Sequence, residues 1–209
     1  PLKEQKLKKL GAEVRYAGSV WDEAHNAALS FAREHGAFYM HPFADEAIVA
    51  GQGTVAIEML EQIPDVDLYI VAIGGGGLIT GMSEIIKAVN PEARIIGVEP
   101  AGSPTLHASF AAGAVVRLPE VTTRVATMAC GRTDESIYES ARRHVDDIVL
   151  IEDDDMQRAA ELLWFEFGIA ADLSGAASLA ALMAGAIKPK SGERVAGLVC
   201  GAGTDGLSN

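Results

Sequence analysis

The chain has 209 residues, of which 49% are hydrophobic, with 29 acidic against 17 basic side chains and a net charge of −12. So much apolar material supports one large folded domain, or a domain with a small lobe, and argues against disorder; the acidic excess argues against a nucleic-acid or anionic-membrane partner, which needs a basic face. No apolar run approaches the roughly 20 residues that span a bilayer, no signal sequence is visible, and two distant cysteines without metal spacing, Cys130 and Cys200, fit a reduced, cytoplasmic setting.

In chain order, the pattern opens at Pro1, not Met, and enters a helical stretch at once, as an internal piece of a longer protein would. Residues 2–10 read as a basic helix stopped at Gly11, and 13–17 (EVRYA) alternate like a short strand. The spacing of Trp21, Ala24, Ala28, Phe31 and Ala32 predicts a helix over 21–34 that ends at Gly36. Residues 37–40 read as a strand, 45–60 as a helix, and 68–73 as a strand apolar on both faces. A helix over 78–89 stops at Asn90-Pro91, a second buried strand covers 94–98, and a helix covers 105–112. A short strand over 115–118 leads into an irregular stretch, 120–133. The remainder reads as a helix over 135–144, a strand over 148–151, helices over 155–167 and 176–186, and a closing strand over 195–200.

Strands that alternate with helices and are apolar on both faces predict an α/β fold: a three-layer αβα sandwich around a mostly parallel sheet. A boundary near Pro42 would separate a small βα lobe, 1–42, from the main sheet domain, 43–209.

Four consecutive glycines, Gly74 to Gly77, stand between a buried strand and a helix. Open α/β sheets bind ligands at this place, outside the carboxyl ends of strands. A helix N-terminus there offers unpaired N–H groups and the positive end of the dipole, and glycines let those groups converge on one anion. The dinucleotide spacing G-x-G-x-x-G cannot be placed on this run. The P-loop spacing runs from Gly76 to Gly81, but Met82 stands where its lysine belongs. A single phosphate or carboxylate therefore fits better than a nucleotide; a tight turn with no ligand is the alternative.

Other candidates lie at predicted strand ends. Cys200-Gly201-Ala202-Gly203 follows the last strand, where the thiol either meets a ligand atom or acts as a small buried hydrophobe. Glu99-Pro100 ends the RIIGV strand, so Glu99 binds a cation or serves as a turn carboxylate. Asp172 precedes a helix for which Ser174 is the N-cap candidate. The run Glu152 to Asp155 reads as a solvated helix start that complements the dipole.

The ordered set His41-Pro42-Phe43, Ala50-Gly51-Gln52-Gly53-Thr54, Gly74-Gly75-Gly76-Gly77-Leu78 and Gly97-Val98-Glu99-Pro100 resembles the fold-type II pyridoxal-phosphate (PLP) enzymes, whose fold is tryptophan synthase β-like. It looks most similar to the threonine/serine ammonia-lyases (dehydratases) and serine racemases. Asp146-Asp147-Ile148-Val149, Gly175-Ala176-Ala177 and Cys200-Gly201-Ala202-Gly203 extend the similarity over essentially the whole chain. The resemblance implies that Gly74 to Leu78 cradle the cofactor phosphate and that Cys200 contacts the pyridine nitrogen. It implies that Asp172 stands near the cofactor ring, where relatives carry Glu. It implies that Glu99 is the acidic member of a site for Mg or another divalent cation, although Ser103 and Thr105 follow where a second acid is usual. A small amino-acid substrate also follows from it; separately, a chain without its N-terminal part would expose sheet edges that a homodimer or another partner would cover.

The family's Schiff-base lysine lies in a Ser-x-Lys segment, and its substrate-carboxylate loop reads Ser-x-Gly-Asn-His; neither occurs here. By that comparison both precede Pro1, and this piece, an incomplete large domain with part of a small one, has no catalytic lysine. Lys87 is ten residues past Gly77 along a helix, about 15 Å away at ~1.5 Å per residue. The resemblance thus implies a parent ammonia-lyase giving a 2-keto acid and ammonia, and a fragment inactive alone. A serine racemase, a β-replacement enzyme, and a non-catalytic module that binds a phosphate ligand or a partner are the alternatives.

Overall fold

The computed structural model describes residues 2–18 and 21–207. The chain divides into two compact units, Pro1–His41 and Pro42–Asn209. The first holds two helices, α1 (Leu2–Lys9) and α2 (Trp21–His35). Within it the Arg15 guanidinium lies 4.5 Å from the centroid of the Phe31 ring, and the Tyr16 hydroxyl donates to Glu4 at 2.9 Å. Residues 13–17 and 37–40 are not strands. Arg15 and Tyr39 contact Phe31 and His25 of α2, and among the described residues neither segment joins the ladder that a period of two needs.

The second unit runs α3 (Glu46–Gln62), β1 (Leu68–Ala72), α4 (Gly77–Val89), β2 (Arg94–Pro100), α5 (Thr105–Ala112), α6 (Glu135–His144), β3 (Asp147–Ile151), α7 (Asp153–Phe167), α8 (Leu173–Met183), β4 (Val195–Gly197) and a 3₁₀ turn over Asp205–Leu207. The four strands form one parallel sheet in the order β3-β2-β1-β4. Leu68 pairs with Arg94 on one side and with Val195 on the other.

Alternation along β1 explains the three layers. Leu68, Ile70 and Ala72 face one core, with Ile96 and Val98 of β2, Met156 and Ala159 of α7, and Ala176 and Ala180 of α8. Tyr69 and Val71 face the other, with Ile95 of β2, Ala56 of α3, Met82 and Ile86 of α4, and Ala141 of α6. Each β1 residue is buried, so the strand reads as a continuous apolar run, as a parallel strand covered on both faces should. The α/β sandwich expected from the sequence is the observed one.

Two local features differ from the sequence reading. The closing strand ends at Gly197, not at 200. There the Ser178 hydroxyl donates to the carbonyls of Ile70 and Leu198 at 2.9 and 3.2 Å, and a side chain takes over from the ladder. Residues 115–118 form no strand; the Leu118 N–H donates instead to the Gly131 carbonyl in a neighbouring loop. Among the described residues no helix is long and apolar enough to cross a membrane.

Candidate functional site

A cavity of about 270 Å³ opens at the carboxyl edge of the sheet. Its wall is the strand-to-helix loop Gly74–Gly77 with Leu78, and Cys200 beyond β4 closes it from the other side. The sequence-predicted cradle and the sequence-predicted thiol, 122 residues apart from Leu78 to Cys200, thus share one cavity. Small-molecule sites are concave, mostly apolar and fitted with a few convergent polar groups.

The four glycines are needed for different reasons. Gly76 is the N-cap of α4 at φ 99°, a conformation that costs a residue with a Cβ roughly 1–2 kcal/mol. A Cβ on Gly74 would sit 2.7 Å from the Thr127 carbonyl oxygen, and one on Gly75 would sit 2.2 Å from the Phe43 ring. A Cβ on Gly77 would meet the Phe43 carbonyl at 2.5 Å. Phe43 and the 127–128 loop press on the strip from both sides, so only bare backbone fits. A glycine N-cap brings no side chain of its own, and the first-turn N–H groups of α4 remain available to an anion. The Thr133 hydroxyl donates to the Gly75 carbonyl at 2.9 Å. Because the peptide is trans, the Gly76 N–H then points away from Thr133.

Cys200 donates its thiol to the Ser174 carbonyl at 3.6 Å. Desolvation, with the charge of Asp172 acting in the same direction, pushes that thiol up to about 11. It therefore stands at the cavity as a neutral S–H group, suited to a neutral ring nitrogen. The residues fit a phosphate-bearing aromatic cofactor: backbone donors and a helix N-terminus at one end, a neutral thiol at the other. None of the residues that line the cavity is a lysine. Lys87 is held at the far end of α4, where it donates to the Ala93 carbonyl at 2.8 Å and pairs with Asp146 at 2.9 Å.

Asp172 and Glu99 are not on the cavity wall. Asp172, not Ser174, is the N-cap of α8; its Oδ1 accepts from the Gly175 N–H at 2.6 Å and from the Ser174 hydroxyl at 2.7 Å. Ser174 lies one position inside the first turn and lines the cavity instead. Glu99 is fully buried, and its two oxygens accept from the Leu106 and His107 N–H groups at 2.8 Å each. It caps α5 from the end of β2. Among the described residues no group of three or more His, Cys, Asp or Glu is placed to hold a metal ion. The Glu99 oxygens are engaged by a helix that has no side-chain cap of its own at Pro104.

Burial pushes the Glu99 carboxyl up to about 7, against backbone hydrogen bonds that lower it. A raised folded-state pKa contributes stability that is present below the unfolded value and lost as pH rises through the folded one. We expect this group to contribute about 3 kcal/mol less stability near pH 8 than near pH 4. Urea unfolding of Glu99→Gln against the parent over that range should show the parent's pH slope flattened in the variant.

Pro42, Phe43, Gln52, Ala72, Thr127, Met128 and Ser174 complete the wall. Gln52 lay within a motif already singled out, Gly51-Gln52-Gly53. Thr127 and Met128 come from the irregular 120–133 stretch, where no periodicity marks any residue.

A family model described as pyridoxal-phosphate dependent enzyme matches residues 1–201. The chain is 38% identical over 185 residues to an L-threonine ammonia-lyase of Geobacter sulfurreducens, covering 88% of this chain and 46% of that protein. It is 35% identical over 205 residues to a phenylserine dehydratase of Ralstonia pickettii, covering 98% of this chain and 63% of that protein. The structure of maize serine racemase superposes with a TM-score of 0.92 at 30% identity, over 97% of this chain and 64% of that one. The chain thus spans about half to two thirds of the length of these proteins. With a bare-backbone glycine loop and a neutral thiol on the wall of one cavity, and a family model matched along nearly all of its length, the chain belongs to the pyridoxal-phosphate-dependent enzymes of fold type II.

Proposed function

We propose that the chain is the cofactor-holding part of a PLP-dependent ammonia-lyase acting on a small β-hydroxy amino acid, with a 2-keto acid and ammonia as products. The observation that carries this is the shared cavity of Gly74–Leu78 and Cys200. When bound, PLP supplies the electron sink that acidifies the substrate's α-carbon. The backbone N–H groups of the glycine loop hold the phosphate, and Phe43 and the 127–128 loop fix the loop's shape. Cys200, as a neutral partner of the ring nitrogen, limits electron withdrawal into the ring, which suits β-elimination. The threonine ammonia-lyase and phenylserine dehydratase relatives support this reading, and the serine racemase likeness supports a racemase as the second reading.

With no lysine on the cavity wall, the 209-residue chain does not turn over threonine or serine by itself. The test is keto-acid release from threonine and serine in the presence of PLP. No product is expected; stoichiometric or catalytic keto acid would overturn the reading of this piece as inactive. The same assay on a longer protein that contains this chain is expected to give keto acid, and D-amino acid instead would make the parent a racemase.

β4 is an edge strand of the described sheet, and open edges pair with other chains. We infer that the chain self-associates as a homodimer in a cytoplasmic setting. A monomer by light scattering, with one cooperative melt, would contradict this.

A further inference from the structure

The start of α8 and the turn after β4 are tied together more closely than capping requires. The Asp172 N–H donates to the Gly201 carbonyl at 3.2 Å, and the Gly203 N–H donates to the Ala170 carbonyl at 3.0 Å. Ala171 and Ala202 form an antiparallel bridge. The Asp172 carboxylate lies against the Gly201 Cα so closely that a Cβ there would fall 2.4 Å from Oδ1. Its Oδ1 holds the Ser174 hydroxyl, and the Ser174 carbonyl receives the Cys200 thiol. The carboxylate is thus one residue from the thiol along two routes, through Gly201 and through Ser174.

We propose that Asp172 is a positioning residue that works through Cys200: its carboxylate packs on the Gly201 Cα and holds the Ser174 hydroxyl, and so sets a negative charge one residue from the thiol on both sides. This rests on the reading of Cys200 as the partner of the cofactor's ring nitrogen. A thiolate there would draw a proton onto that nitrogen, and a negative charge close to the sulfur opposes thiolate formation by simple Coulomb repulsion. Elsewhere on the cavity wall, Ala72, Thr127 and Met128 are uncharged. Among the described residues Asp172 is the charged side chain that acts on the thiol, and burial acts in the same direction.

The test is the pH profile of Cys200 alkylation by iodoacetamide, read peptide by peptide by mass spectrometry, with Cys130 as the internal reference. Asp172→Asn and Asp172→Ser both keep a good N-cap, so α8 remains capped while the charge is lost. We expect Cys200 in either variant to be alkylated about threefold faster near pH 8 than in the parent, with its midpoint displaced downward, and Cys130 unchanged. A purely structural Asp172 would leave the Cys200 profile where it was in both variants, or move both cysteines together through loosening of the fold; either result overturns the proposal. The measurement needs no cofactor. Protection of Cys200 by pyridoxine 5′-phosphate is a separate arm: its absence would sink the cofactor reading while the alkylation profile still decides the role of Asp172.

Discussion

Alanine at position 76 is expected to lower the affinity of the chain for a pyridoxine-type phosphate about a hundredfold while leaving binding of the unphosphorylated ring almost unchanged. Gly76 holds φ at 99° and is the N-cap of α4. A Cβ there falls 2.5 Å from the Ile137 Cγ2. Backbone strain of roughly 1–2 kcal/mol and displacement of a buried side chain would together withdraw about 3 kcal/mol from the bound geometry, which corresponds to about a hundredfold. The loop relaxes by turning the Gly76 peptide, and the first-turn N–H groups of α4 then no longer converge. Calorimetric titration of the parent and Gly76→Ala with pyridoxine 5′-phosphate and with pyridoxine measures the two affinities directly. Equal losses for both ligands would mean that the variant damages the whole cavity and that the loop is no phosphate cradle.

The largest effect on stability is expected at Gly81, one turn further along α4. There α4 crosses α3 with backbone against backbone. A Cβ on Gly81 would lie 2.2 Å from the Val49 carbonyl oxygen and 2.7 Å from the Gly53 nitrogen. Neither atom is the end of a flexible side chain, so the two helices must separate. Separation would also lift Ala56 of α3 and Met82 of α4 out of one core. Gly81→Ala should therefore destabilise the chain by about 3 kcal/mol or more, at the upper end of overpacking effects. Gly51→Ala is the matched control: Gly51 is exposed in α3 and a Cβ there meets nothing within 4 Å. It should stabilise by up to about 1 kcal/mol from helix propensity alone. The difference between the two urea midpoints isolates the close approach from the intrinsic effect of removing a glycine.

The parts of the fold that could be read from the sequence are those set by local pattern. β1 is buried on both faces because it is central, and a run such as Leu68–Ala72 allows no other placement in an α/β chain. Gly74–Gly77 was readable because four glycines after such a strand have few structural explanations. What escaped depends on partners distant in sequence. Residues 13–17 alternate like a strand but, among the described residues, join no ladder. Asp172 and Ser174 are both good caps two residues apart, and their choice is made by the Gly201 backbone, which packs on the Asp172 carboxylate. Glu99 looked like a ligand because it is an acid at a strand end. Its oxygens are instead aimed at Leu106 and His107, which only the placement of α5 reveals. Thr127, Met128 and Thr133 shape the cavity from a stretch with no period at all, held by single bonds such as Thr133 to Gly75.

The central claim is that Gly74–Leu78 and Cys200 together hold a phosphate-bearing pyridine. The most direct test is calorimetric titration of the parent chain with pyridoxine 5′-phosphate, pyridoxine and inorganic phosphate; these probes lack the aldehyde that would react with surface lysines. The account predicts one site for pyridoxine 5′-phosphate, at least about tenfold tighter than pyridoxine, a difference of about 1.4 kcal/mol, and competed by inorganic phosphate. Equal binding of the two ring compounds, or binding that phosphate does not displace, would contradict it.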